Sequence, residues 1–359
     1  MPSQLERFSP PPPTPGPSSP AEWGPPPPPS GPTPSASFYP LTIGRGVSLA
    51  FHLFRFGWRT FVGISLVVFI PVVIVEALAQ YATFSAISEW EQRLTGGPFG
   101  GPSDPSAVLT TFPIWAYGVI VLAAFVAGPF STVGAAALID AIVTAIRGGR
   151  LSARRSFRAA LGRLRSLLGL YLILTLGGIG IGLIGYAPTV LTALPSALGV
   201  SGGLLALLGL IVFVAVVFAF IFFMIRIAFA LQALIIEDLP VAGSLRRSWA
   251  LLAGSMLRLM GWMIALTFVA GLLALVFEIC GVLVAFIVSP PHLSTLATFN
   301  STFGLTFAVV LTVFSGLGAA IVQPVILIGS TLLYFEIRWR HGESVPVPGQ
   351  PQADPVHSG

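Results

Sequence analysis

Lysine is missing altogether: all 18 basic residues among the 359 are arginine, and Asn300 is the sole asparagine. That bias reflects GC-rich bacterial coding rather than folding physics. Charge of either sign is scarce, at 9% of residues against about a quarter in an ordinary soluble domain. A chain so poor in charge cannot clothe a water-soluble fold of this size. With Cys280 as the single cysteine, no disulfide can form within the chain, and the redox compartment goes unspecified. The four histidines, His52, His292, His341 and His357, show no metal-ligand spacing. Neither a metal site nor a cofactor is expected.

What the chain has instead is hydrocarbon, with 55% apolar residues and a mean hydropathy of +0.90. Six apolar segments follow one another at 61–82, 113–146, 167–191, 203–236, 260–289 and 303–335. Each reaches the roughly 20 residues that carry an α-helix across about 30 Å of hydrocarbon. The expected fold is therefore all-α, a polytopic transmembrane helix bundle of six spans. Several segments exceed that length, which implies tilt, kinks or ends that project beyond the hydrocarbon.

Arginine sets the orientation. Of the 18, 15 lie in the span-flanking stretches 45–59, 147–165, 246–258 and 338–340, all on one side; the opposite side holds only Arg93. The positive-inside rule makes the arginine-rich side cytoplasmic, and six spans then put both termini there, in the plasma (inner) membrane of a bacterium. A pI near 10 could suggest nucleic acid, but these arginines flank apolar spans rather than a soluble basic face, so no nucleic-acid partner is expected. Anionic lipid headgroups are the expected partner, with Arg55, Arg59, Arg154, Arg155, Arg158, Arg246 and Arg247 as candidate contacts.

Residues 1–40 contain 16 of the 32 prolines and almost no aliphatic side chains, which predicts a disordered cytoplasmic tail of polyproline II character without the apolar centre of a signal peptide. The membrane domain is expected over 41–343, with a second disordered tail at 344–359. The connection 83–112 reads as a polar external loop rich in glycine and proline.

An internal repeat divides the membrane domain into 41–150, 151–239 and 240–343. An aromatic residue precedes a glycine by twelve positions three times, at Phe51 and Gly63, Phe157 and Gly169, and Trp249 and Gly261. In the first copy Arg45, Ser48, His52, Arg55 and Arg59 alternate at helical spacing with Val47, Phe51, Phe54 and Trp58, an amphipathic helix suited to the membrane interface. An acid closes each unit, at Asp140, Glu237 and Glu336. A carboxylate opposes the dipole of a helix C-terminus, which predicts a compensating arginine beside it. Three helical hairpins, each preceded by an interfacial amphipathic helix, are the architecture this implies.

The run Tyr39-Pro40-Leu41-Thr42-Ile43-Gly44, the run Phe51-His52-Leu53-Phe54-Arg55, the stretch 237–249 containing Ser244-Leu245-Arg246-Arg247-Ser248-Trp249, and Leu332-Leu333-Tyr334-Phe335-Glu336-Ile337-Arg338 carry a likeness. Over about 38–343 the chain resembles the bacterial glycerophosphoryl diester phosphodiesterase membrane-domain family. The resemblance implies a multi-pass plasma-membrane protein. Some relatives carry a soluble phosphodiesterase barrel after the membrane region, whereas 16 residues follow Glu343 here, so the catalytic half is expected to be absent.

Catalysis finds no other support in the sequence. The text of a dinucleotide fingerprint, Gly180 to Gly185, sits inside an apolar span without the strand or the acid it requires, and reads as close helix packing. Arg226, about ten residues from the end of span 4, counts to mid-bilayer, with Asp140 the nearest acid in depth. Pro129, Arg226 and Pro324 stand 11, 11 and 12 residues ahead of the three terminal acids, which would fit helices interrupted at one level, but a simple proline kink within a continuous membrane helix is the preferred reading. Glu76 and Glu278, near the outer ends of their spans, could hold a proton or cation, or reach headgroup water. The reading reached is a non-enzymatic membrane-organising or lipid-interacting protein. Its rival is a small-solute or ion transporter with its site near Arg226 and helix breaks at Pro129 and Pro324.

Overall fold

The computed structural model describes residues 41–95, 113–180, 203–288, 302–343 and 345. Among these the backbone is helical and contains no strand: α1 (Ile43–Thr95), α2 (Ile114–Ile146), α3 (Ala153–Gly162), α4 (Leu164–Gly180), α5 (Gly203–Ile227), α6 (Ala230–Ile236), α7 (Val241–Leu251), α8 (Met256–Val288) and α9 (Thr302–Arg340). Helix is what a long apolar chain forms where water is scarce, because each backbone N–H and C=O finds its partner within the segment. Five stretches are long and apolar enough to cross a membrane, and the bent pair α3–α4, taken as one span, makes six. The end of the third expected span, both tails apart from residue 345, the connection 96–112, and Gly182, Gly185, His292 and His357 lie outside the described residues.

Two expectations are corrected and a third is refined. The loop expected from 83 is helix as far as Thr95, because α1 runs on through Glu89, Glu91, Gln92 and Arg93, good helix formers in a stretch 83–95 without glycine or proline. Pro129 and Pro324 do not break their helices: α2 and α9 continue through them, as membrane helices allow when neighbours satisfy the freed carbonyls. The expected span at 203–236 carries a two-residue turn at Ala228 and Phe229, where α5 gives way to α6, and Leu207–Ile236 remains one stretch long and apolar enough to cross a membrane.

The odd-numbered spans share a local device. Non-helical backbone at Gly57 (φ −116°, ψ 17°) bends α1, Arg163 separates α3 from α4 at an angle of 72°, and the turn 252–255 separates α7 from α8. Measured from Phe51, Phe157 and Trp249, position six falls on Gly57, on Arg163 and on Ser255 at the end of that turn. Each bend lets an arginine-bearing amphipathic helix leave the axis of the apolar helix that follows.

α1 lies between α2 and α9, and α9 packs in turn against α8, giving the order α2, α1, α9, α8. The large buried side chains, Trp262, Tyr334, Phe61, Phe229 and Phe335, gather toward the arginine-rich end. Toward the opposite end small residues such as Ala79, Ala116, Ala123 and Ala285 are buried. Small residues bring helix backbones close where hydrocarbon solvent gives no hydrophobic drive for association. A Cβ at Gly316 would stand 2.0 Å from Val73 Cγ2, so α1 and α9 touch there only because that position is glycine. The outward faces stay apolar, with Leu210, Ile211 and Phe218 of α5 exposed, as suits a helix facing lipid.

Candidate functional site

The bend at Gly57 faces the turn that joins α2 to α3. A Cβ at residue 57 would lie 2.6 Å from Leu151 Cδ1 and 2.8 Å from Phe61 Cε2, so glycine is what lets the bend approach that turn. On the other side, Gly148 turns the chain with φ +73°, a left-handed conformation that glycine adopts without strain. Between the two bends is a cavity of ≈ 580 Å³, lined by residues 55–60 and 148–151. Three arginines, Arg55, Arg59 and Arg150, line it, and no acidic residue does among the described residues. Arg59 Cζ lies 5.6 Å from the Trp58 ring centre, a cation–π contact. Trp58 and Phe56 are 50% and 73% exposed, amphipathic and apolar rings placed beside the cations. A cavity with planar donors and no acidic competitor is chemically suited to a phosphate or carboxylate.

Arginines also surround the terminal acids Glu237 and Glu336, as the helix-dipole argument predicts. Glu237 accepts from Arg247 Nε at 3.1 and 2.9 Å and from the Tyr334 hydroxyl, and Arg338 Nε stands 3.5 Å away. Glu343 accepts from Arg247 Nη2 at 2.6 and 2.5 Å and from Arg338 Nε at 2.7 Å. Glu336, wholly buried, accepts through Oε1 from Arg258 at 2.5 Å and Arg340 at 2.9 Å. Arg258 also donates to the Leu41 carbonyl at 2.6 Å, and Arg163 bridges Asp238 and the Ile235 carbonyl, both at 2.8 Å. Arg247, expected among the headgroup contacts, is therefore committed to two carboxylates within the protein. Arg154, Arg155, Arg158 and Arg246 remain exposed, as do Arg55 and Arg59.

Charge within this network shifts titration. Burial works against the Arg247 cation, but hydrogen bonds and charge from Glu343 and Glu237 outweigh it and raise its pKa. Burial alone would raise the Glu343 carboxyl; the Arg247 and Arg338 guanidiniums beside it reverse that and hold it below the ordinary 4.5. A lowered folded-state pKa stabilises the fold above the unfolded value and ceases to do so as pH falls through the folded one. Thermal unfolding in detergent should therefore show a loss of stability as pH drops below 4.5, and Glu343→Gln should flatten that part of the profile. An unchanged acid limb in the variant would remove Glu343 as its source.

Residues 50–336 match DUF7847, a domain of unknown function. The chain belongs to the DUF7847 family. The matched region takes in both bends of the basic cavity and the acids Glu237 and Glu336, and ends before Glu343. Neither the curated proteins nor the solved structures compared with this DUF7847 chain include a match.

Within the DUF7847 region, Arg226 stands ten residues before Ile236, the end of the apolar span Leu207–Ile236, and in the last turn of α5, which ends at Ile227. A cation there meets the negative end of the helix dipole. Its Nη1 stands 3.4 Å from the Trp249 carbonyl, and its Cζ lies 5.2 and 4.9 Å from the Phe222 and Trp249 ring centres. Ser248 secures the break beside it, donating to the Arg226 carbonyl at 2.8 Å and accepting from Phe229 N–H at 3.1 Å. No ion pair joins Arg226 to Asp140 among the described residues; Arg226 Nε and Asp140 Oδ2 are both buried without a partner. Glu76 and Glu278, from helices distant in sequence, do come together, on the wall of a second cavity. Sequence reasoning missed Arg150 as a site residue; Gly148-Gly149 before it was the available signal of a turn that could fold it back toward α1.

Proposed function

We propose that this DUF7847 protein is a non-enzymatic multi-pass protein of the bacterial plasma membrane that binds anionic phospholipid headgroups of the cytoplasmic leaflet. The observation that carries the reading is the joint lining of one cavity by Arg55, Arg59 and Arg150 beside exposed Trp58 and Phe56. A lipid phosphate enters laterally and meets forked guanidinium donors, while the aromatic rings rest at the headgroup boundary. The likeness to the glycerophosphoryl diester phosphodiesterase membrane-domain family belongs to the same proposal and adds a plasma-membrane setting but no reaction. Three hairpin units, with both termini cytoplasmic, complete it; the equivalent bends after Phe51, Phe157 and Trp249, and the packing of α1 on α2 and of α8 on α9, support that arrangement.

Native mass spectrometry of the protein extracted from mixed phosphatidylglycerol and phosphatidylcholine nanodiscs tests the reading. Wild type should enrich phosphatidylglycerol over the bulk ratio, and Arg55→Gln, Arg59→Gln and Arg150→Gln combined should reduce that enrichment by about 10-fold, roughly 1.4 kcal/mol. Competition by soluble glycerol phosphate separates a free anion from a lipid as the ligand. No enrichment in wild type, or equal enrichment in the triple variant, would sink it.

A further inference from the structure

A groove of ≈ 240 Å³ runs along the contact between α1 and α9, and no polar side chain lines it among the described residues. Gly316 and Ala320 are buried within it, while Ile70 and Ile74 of α1 and Val313 and Leu317 of α9 form exposed rims. Between two packed helices in a bilayer such a groove is a place for hydrocarbon chain, and surrounding lipid solvates a chain as well as the groove does. Hydrophobicity therefore cannot select the occupant, and selection has to come from what lies at the end of the groove.

What lies there is the basic cavity. Arg59, Gly63, Leu66 and Ile70 follow at intervals of four, three and four residues, which puts them on one face of α1 beyond the bend at Gly57. Arg59 lines the cavity, and Leu66 and Ile70 line the groove. Between them Gly63 has no side chain, and a Cβ there would meet nothing within 4 Å. An open strip of helix surface thus joins the cation to the groove.

The length of that path matches one lipid. Arg59 and Ile74, the last groove residue on α1, are 15 residues apart, about 22 Å at a helical rise of about 1.5 Å. One leaflet with its headgroups measures about 20–22 Å, half of a bilayer. We propose that the α1–α9 groove holds an acyl chain of the same anionic phospholipid whose phosphate sits among Arg55, Arg59 and Arg150, with its glycerol passing Gly63. The inference rests on the headgroup reading and deepens it: the ligand is a whole phospholipid held at both ends, not a free phosphate, and the chain stays in the groove because the phosphate is held above it.

The test places the full chain in mixed nanodiscs with a diazirine midway along one acyl chain of phosphatidylglycerol or, in a second sample at the same mole fraction, of phosphatidylcholine. After illumination, peptide mass spectrometry should find phosphatidylglycerol adducts on 66–74 and 313–320 at least about 5-fold above phosphatidylcholine adducts, the ratio that about 1 kcal/mol of preference gives. Arg59→Gln with Arg150→Gln should erase the excess. Gly63→Phe, at a position where a Cβ meets nothing within 4 Å, should lower the groove adducts comparably and leave thermal unfolding unchanged. If wild type enriches phosphatidylglycerol but its chain labels the groove no more than that of phosphatidylcholine, the chain site is overturned and the headgroup site stands. Undiminished groove labelling in Gly63→Phe would also overturn the chain site, and no enrichment at all would remove both sites.

Discussion

Glu336→Ala should destabilise the protein by about 3 kcal/mol, the size expected when one partner of a buried ion pair is removed and the other keeps its charge. Glu336 is wholly buried and its Oε1 alone receives both Arg258 and Arg340. Arg258 also holds the Leu41 carbonyl, so the carboxylate fixes the entry to α1, the start of α8 and the end of α9 together. Without it, the Arg258 guanidinium, 34% exposed, keeps the Leu41 carbonyl but loses the carboxylate that balances its charge. Thermal unfolding in detergent should register the loss, and Arg258→Met added to Glu336→Ala should recover part of it, because removing both members leaves no uncompensated charge. Equal stability of Glu336→Ala and wild type would mean that lipid or water replaces the carboxylate.

A comparable effect is expected at Gly46. Its position is covered by the Trp262 indole: a Cβ there would stand 1.7 Å from Cη2 and 2.4 Å from Cζ2. Trp262 is wholly buried and cannot swing aside without disturbing the core around it. Gly46→Ala should therefore lift the first turns of α1 from α8 and cost about 2 kcal/mol, within the range for overpacking a filled core. Hydrogen exchange should rise over the first turns of α1, ahead of the bend at Gly57. Gly44→Ala, where a Cβ meets nothing within 4 Å, serves as the control and should leave both measurements unchanged.

Much of the local structure was legible in one dimension. The twelve-residue spacing of Phe51 and Gly63, Phe157 and Gly169, and Trp249 and Gly261 marked three similar stretches, and the backbone bends at a related position in each. Terminal acids without a favourable dipole called for arginines, and Glu237 and Glu336 have them; Asp140 has no such ion pair among the described residues. The turn beside Arg226 was not legible for a physical reason: a break satisfied by Ser248 from another element leaves no mark in local hydropathy. Pro129 and Pro324 are accommodated within continuous helices, as the preferred reading of a membrane proline has it, and the helix breaks of the transporter reading are not found there.

Hydropathy and arginine spacing, properties of neighbours along the chain, were enough to determine that hydrocarbon is the solvent, that the segments are helices, and that one end of the bundle is basic. Tertiary structure alone decided which arginines are free and which are bound: Arg247 meets Glu343 across 96 residues and Arg258 meets Glu336 across 78. It also decided that Arg150 joins Arg55 and Arg59, and that Glu76 shares a cavity with Glu278. Such partners are chosen by the path of the backbone through space, where one bend or one missing Cβ changes what a side chain can reach, and no periodicity in the chain encodes that choice.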